Sequence, residues 1–205
     1  MTGFWPLATT FFLVRHAAHG LLDRVLPGRM PGVHLIEAGR VQAGQLARHF
    51  ASQGIHGVQS SPRERAEETA QPIATESHVQ FDIAGALDEI DFGDWTGRSF
   101  DELRDDPAWQ AWNANRSTAR PPCGETMTQV QDRVIAHLRQ AHSAHPDGRL
   151  VLVSHGDVIK AAIVRVLGVT VDAFSAFEIS PAGVSTVLFD AWGAKVVSLN
   201  ERIAR

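Results

Sequence analysis

Two uninterrupted apolar runs, Phe11 to Val14 and Leu150 to Val153, most constrain what this chain can fold into. A strand with apolar side chains at every position must be covered on both faces, as in the middle of a parallel sheet. Both runs stop abruptly at polar chemistry: the first at Arg15-His16, the second at Ser154-His155-Gly156. In open α/β sheets ligands collect just beyond the carboxyl ends of the strands, so the two imidazoles are expected to share one crevice.

The rest of the chain supplies the layers. A Gly- and Pro-rich loop (Gly20, Pro27, Gly28, Pro31, Gly32) leads to a helix from about Glu37 to Phe50, with the stripe Ala43, Leu46, Ala47, Phe50. A short strand over 55–61 and a helix over 62–76, opened by Pro62, come next. This alternation predicts a parallel sheet with helices on both faces. The pattern loosens over 87–125, read as a small helical cap inserted at about 90–123, with Trp95, Trp109 and Trp112 as its core. "TMTQ" from Thr126 looks like a capping box, opening a helix with the stripe Met127, Val130, Val134, Leu138, Ala141. Asp157 is expected to cap a helix from Val158 to Leu167, and Gly183 to Phe189 and Ala194 to Leu199 to close the sheet. The predicted fold is a single α/β domain of 205 residues: three-layer αβα, a mostly parallel central sheet and the cap.

Composition narrows the partners. A net charge of −4 offers no footprint for nucleic acid or an anionic membrane, so a bound anion must be held locally. Seventeen of the nineteen Lys and Arg are Arg, a residue whose fork suits phosphate, although genome composition explains the same bias. The lone Cys123 excludes an internal disulfide or a cysteine zinc site and suits a reducing cytoplasm. The amino terminus reads as neither signal peptide nor membrane span, and no segment is apolar for long enough to span a bilayer. The remaining histidines, among them His34, His56 and His137, form no metal-ligand spacing.

The strand ends gather a coherent set of charges. Gly156 opens a helix whose free N–H groups make an anion site. "SSPRERAEETA" brings arginines to the first turn of another helix, and "ALDEIDFGDW" brings Asp88 and Glu89. Arginines, two histidines, a helix terminus and a carboxyl group suit phosphoryl transfer, in which a dianion is cradled while charge moves between attacking and leaving oxygens.

On these residues the chain resembles the histidine phosphatase superfamily, the phosphoglycerate mutase-like family. The family's Arg-His-Gly is similar to Arg15-His16-Ala17, and its Ser-x-x-x-Arg-Ala-x-x-Thr-Ala to "SPRERAEETA", which selects Arg65 over Arg63. "LDEIDFGDWTG" matches its acid motif at Glu89, Gly124-Glu125-Thr126 its Gly-Glu-Ser step, and Ser154-His155-Gly156 stands unchanged. The resemblance implies hydrolysis of a small phosphate monoester without metal or other cofactor. His16 would form a phosphohistidine, with Glu89 as general acid and base, His155 as donor to the transferring group, and Arg15, Arg65, His155 and Gly156 holding the phosphoryl oxygens. It also keeps two alternatives open: a mutase that returns the phosphoryl group to substrate, and a catalytically silent binder of a phosphorylated ligand. Subunit number stays open, a homodimer included.

Ala17 replaces the family's glycine, and His19 and Leu22 stand where many relatives carry a hydroxyl and an amide that touch phosphate. His19, Arg24 or Arg29 is left to take over those contacts, and the loop around Gly28 favours Arg29. Asp88, Asp91 and Asp94 compete with Glu89 as the acid. Arg63 reads as a solvated helix residue paired with Glu67.

Overall fold

Strands β1 (Thr9–Arg15) and β4 (Arg149–Ser154) lie side by side and parallel, with Phe11 opposite Leu150 and Arg15 opposite Ser154. Because side chains alternate across a strand, Phe11, Leu13, Leu150 and Leu152 enter one apolar cluster, and Phe12, Val14, Val151 and Val153 enter another on the opposite face. The two apolar runs are therefore buried on both sides. The structure is a computed structural model that describes residues 7–203; the first six residues, part of the amino terminus read above for a leader or span, lie outside them. Among the described residues no helix is long and apolar enough to cross a membrane.

Around this pair the sheet runs β3-β2-β4-β1-β5-β6, with β2 at Gly57–Ser60, β3 at Phe81–Ile83, β5 at Val184–Asp190 and β6 at Gly193–Glu201. The first four strands are parallel, and β5 and β6 are antiparallel neighbours that close one edge. Helices α1 (Glu37–Phe50) and α2 (Glu64–Ser77) cover one face through Leu46, Phe50, Ala66, Ala70 and Ile73. The stretch between β3 and the next long helix holds two short α-helices, α3 (Phe100–Arg104) and α4 (Pro107–Ala114), after two single 3-10 turns at Gly85–Leu87 and Gly93–Trp95. Helices α5 (Met127–Ala144) and α6 (Gly156–Val166) cover the second face. Phe92, Trp95, Leu103 and Trp112 are buried in the same cluster as α5 and α6, so this stretch shares the core of the sheet rather than building one of its own.

Thr126 and Gln129 form the expected reciprocal capping box at the start of α5. Two helix starts differ from expectation. The chain at Ser61 still bonds the sheet, through its N–H to Val153 O at 2.9 Å, and Arg63 is extended; α2 therefore begins at Glu64, and Pro62 falls in the bend before it. Helix α6 begins at Gly156 with His155 as the extended N-cap, which places Asp157 inside the first turn; its carboxylate pairs with Arg116 instead of capping. Strand β3 carries only three residues, two of them exposed, and gives no periodic signal.

Candidate active site

His16 and His155 follow the carboxyl ends of adjacent strands β1 and β4, and their ring centroids lie 5.1 Å apart. Arg15, His16, His19, Glu89, Gly156 and Asp157 line one cavity of about 280 Å³. Sequence-predicted Arg65 and His155 are completely buried directly behind that wall.

The orientation of His16 follows from its partners. Its Nδ1 lies 2.9 Å from the carbonyl of Ala17, so Nδ1 carries the hydrogen and Nε2 keeps its lone pair. The Ala17 N–H donates to Thr69 Oγ1 at 2.9 Å, and Thr69 Oγ1 donates to Arg65 O at 2.7 Å, which ties the loop after β1 to the first turns of α2. Burial, reinforced by the Arg65 and Arg15 guanidinium groups, holds the His16 pKa well below its ordinary value. The imidazole is neutral at physiological pH.

The two arginines are held by few contacts and keep donors in reserve. Arg15 donates to Ile179 O at 2.6 Å, and Arg65 donates to Gly28 O at 2.8 Å. The Nε of Arg15 and the Nε and one terminal nitrogen of Arg65 are buried without a hydrogen-bond partner among the described residues. Buried, unsatisfied guanidinium donors are costly and call for an anion. Gly156 packs beside this guanidinium: a Cβ built there would meet Arg15 Nε at 3.4 Å, an ordinary contact distance.

Glu89 sits between the charges. One carboxylate oxygen accepts from the Ile90 N–H at 3.0 Å; the other lies 3.5 Å from His155 Nδ1 and 4.0 Å from Arg65. Burial and, next, the Asp157 carboxylate push its pKa up to about 7, against the opposing pull of Arg65. Asp88, its competitor in sequence, is committed elsewhere: it accepts from the Glu89 N–H at 2.8 Å and pairs with Arg63 at 2.9 Å. Asp91 and Asp94 do not line the cavity.

At three residues the partners differ from those the sequence suggested. His155 has both ring nitrogens engaged, Nε2 with Ser61 Oγ at 2.7 Å and Nδ1 with Arg65 at 3.2 Å. Ser61 passes the chain on to Asp88 at 3.3 Å. In this arrangement His155 has no N–H left for a phosphoryl oxygen, and it braces Arg65 instead. Arg29 does not line the cavity: it donates to Glu89 O at 2.8 Å and pairs with Glu125 at 3.1 Å, drawn off by the acidic cluster behind Glu89. Arg63 is not a solvated partner of Glu67 but donates to Arg29 O at 2.8 Å while pairing with Asp88.

Of the three residues left to fill the place after His16, His19 lines the cavity and Arg24 and Arg29 do not. The His19 ring has its centroid 5.1 Å from that of His16, and its Nδ1 accepts from the Leu21 N–H at 3.2 Å, which leaves the hydrogen on Nε2. Burial, then Arg65 and Arg15, push its pKa down to about 4. Arg116 and Lys160 also line the cavity, and no motif around them singled them out.

A neutral imidazole facing buried guanidinium donors at the end of a parallel sheet defines an α/β enzyme built to handle a phosphoryl group. The histidine phosphatase superfamily (branch 1) profile matches residues 11–202, and the chain belongs to that family. Phosphoserine phosphatase 1 of Hydrogenobacter thermophilus is 27% identical over 199 residues, which cover 92% of this chain and 90% of that protein. Among solved structures, Bacillus stearothermophilus YhfR is similar with a TM-score of 0.88 and 26% identity, covering 96% of this chain and all of that one. A mutant phosphoserine phosphatase from Entamoeba histolytica, in complex with phosphoserine, is similar with a TM-score of 0.84 and 25% identity, covering 95% of this chain and 98% of that one.

Proposed function

We propose that the protein is a phosphatase that hydrolyses phosphate monoesters through a phosphohistidine on His16. The observation that carries this reading is the pairing of a free Nε2 lone pair on a neutral His16 with the unsatisfied guanidinium donors of Arg15 and Arg65. The names of the similar proteins, phosphoserine phosphatases among them, support hydrolysis over isomerisation.

The steps follow from the geometry. Nε2 of His16 attacks phosphorus while Arg15 and the Nε2–H of His19 take up charge on the phosphoryl oxygens and Arg65, buried behind the wall, adds its positive potential. The P–O ester bond breaks, and protonated Glu89 gives its hydrogen to the departing alkoxide. Glu89, now a carboxylate, takes a proton from water as the water oxygen attacks the phosphohistidine. The N–P bond breaks and inorganic phosphate leaves, with Glu89 reprotonated for the next cycle. A pKa of about 7 lets one carboxyl group serve both halves of this cycle. Exposed, unpaired Cys123 suits a reducing compartment, and we assign the protein to the cytoplasm.

Hydrolysis of phenyl phosphate with chelator present tests the reading. Wild type should release inorganic phosphate and His16→Ala should lose at least about 10³-fold in rate, the order expected when a covalent nucleophile is removed. Equal rates for the two proteins would refute the assignment.

A further inference from the structure

The cavity continues past the reacting groups to a second pair of cations. Lys160 lies four residues after Gly156 on α6, one turn further along the same face and about 6 Å along the helix axis. Arg116 reaches the same wall from the segment after α4. Both converge on one ring: Arg116 stacks 3.9 Å from the centroid of Phe174, and the Lys160 ammonium lies 4.5 Å from it.

Their countercharges differ. Arg116 is firmly held, by Asp157 at 3.2 Å and by Asn113 at 3.0 Å. Lys160 is 6% exposed, yet its carboxylate partner is Glu178 at 3.4 Å, whose side chain is 80% exposed. An ion pair with one end in solvent is worth little, whereas an ammonium out of water needs a fixed anion. An anion arriving through the cavity would displace Glu178 into solvent at small cost and satisfy the lysine.

We infer that Lys160 determines specificity by binding a second anionic group, a carboxylate or a second phosphate, on the leaving group of the substrate. This inference rests on the phosphatase reading above, because it takes the phosphoryl group to sit at His16. Gly156 and Lys160 are one helical turn apart on α6 and line the same cavity, so the leaving group inferred for it is short, with the second anion a few bonds from the ester oxygen. Selection works through an exchange of salt-bridge partners, with the substrate taking the place of Glu178.

A matched set of esters tests this: phenyl phosphate, glycerol 3-phosphate, 3-phosphoglycerate, which replaces a terminal alcohol by a carboxylate, and glycerol 1,3-bisphosphate, which carries a second phosphate. Wild type should show a kcat/KM at least tenfold higher for one of the two esters with a second anionic group than for glycerol 3-phosphate, and which of them leads identifies the anion. Lys160→Met should erase that preference through KM, its loss on the favoured ester exceeding its loss on glycerol 3-phosphate by tenfold or more, and Lys160→Arg should keep the preference. Turnover of phenyl phosphate without any wild-type preference for a second anion overturns the inference and leaves the phosphatase reading standing; so does an equal loss on all esters in Lys160→Met. No turnover of any ester overturns both. The wild-type ratio decides even if the methionine variant does not fold.

Discussion

The imidazoles of His19 and His16 stand 5.1 Å apart, tilted at 46°, on the same wall of the cavity. His19 and Arg15 line the same cavity, and the hydrogen of His19 is on Nε2; the proposed mechanism gives that N–H to a phosphoryl oxygen. A hydrogen bond to a charged group contributes about 2 kcal/mol, so His19→Ala should lower kcat/KM roughly 30-fold on every ester, without regard to the leaving group. Steady-state kinetics on phenyl phosphate and glycerol 3-phosphate would check this; a loss confined to one ester would argue against a phosphoryl contact.

His19 also makes the fold sensitive to acid. Its folded pKa, about 4, is depressed below the ordinary 6.5 by burial and by Arg65 and Arg15. The stabilisation is fully present above 6.5 and is lost as pH falls toward 4, because the unfolded chain takes up the proton first. Between pH 7.5 and 5.5, His19→Asn should lose about 1 kcal/mol less stability than wild type, measured by urea unfolding.

The acid role of Glu89 sets a limb in the pH profile. A group that must be protonated and titrates at about 7 makes kcat/KM fall as pH rises through that value. The Asp157 carboxylate helps to raise this pKa, so removing its charge lowers it: Asp157→Asn should move the alkaline limb down by about one pH unit. An unmoved limb would show that Asp157 does not act on the acid.

Behind Glu89, two guanidinium groups converge on its carbonyl oxygen, Arg29 at 2.8 Å and Arg133 at 3.2 Å. Glu125 holds both, accepting from Arg133 at 2.8 Å and from Arg29 at 3.1 Å. Glu125→Gln should cost about 2 kcal/mol, less than for a fully buried pair because Arg29 is a third exposed. The denaturation midpoint reports that cost, and kcat should fall with it as the clamp on the acid loosens.

Thr69 is the link between α2 and the loop that carries the nucleophile. Thr69→Val keeps the volume but leaves the buried Ala17 N–H without an acceptor, at a cost of about 2 kcal/mol. Thermal unfolding would measure it; a neutral substitution would mean that the loop holds His16 without this bond.

The parts of this molecule legible in the sequence were those written in local periodicity. Doubly buried β1 and β4, the α1 stripe and the Thr126 capping box leave a mark on adjacent residues, and the residues at the strand ends could be brought together from topology alone. The fate of each polar side chain was not legible, because it depends on distant partners. Arg29 sits on the expected loop but is drawn to Glu125, nearly a hundred residues away. His155 was placed correctly at the end of its strand, while its engagement by Ser61 and Arg65 follows only from how α2 packs. Arg116 and Lys160 sit in no recognisable string, and only the folded chain sets them around Phe174.

The pairing of Arg15 with Ser154 in the sheet has an evolutionary corollary. Reactivity is fixed by how two central strands align, and a slip of one residue would turn His16 away from its companion. Lys160 and Glu178 lie outside that alignment. New preferences for the departing group are therefore open to drift by substitutions around the cavity's far wall, while the apparatus that breaks the bond stays untouched.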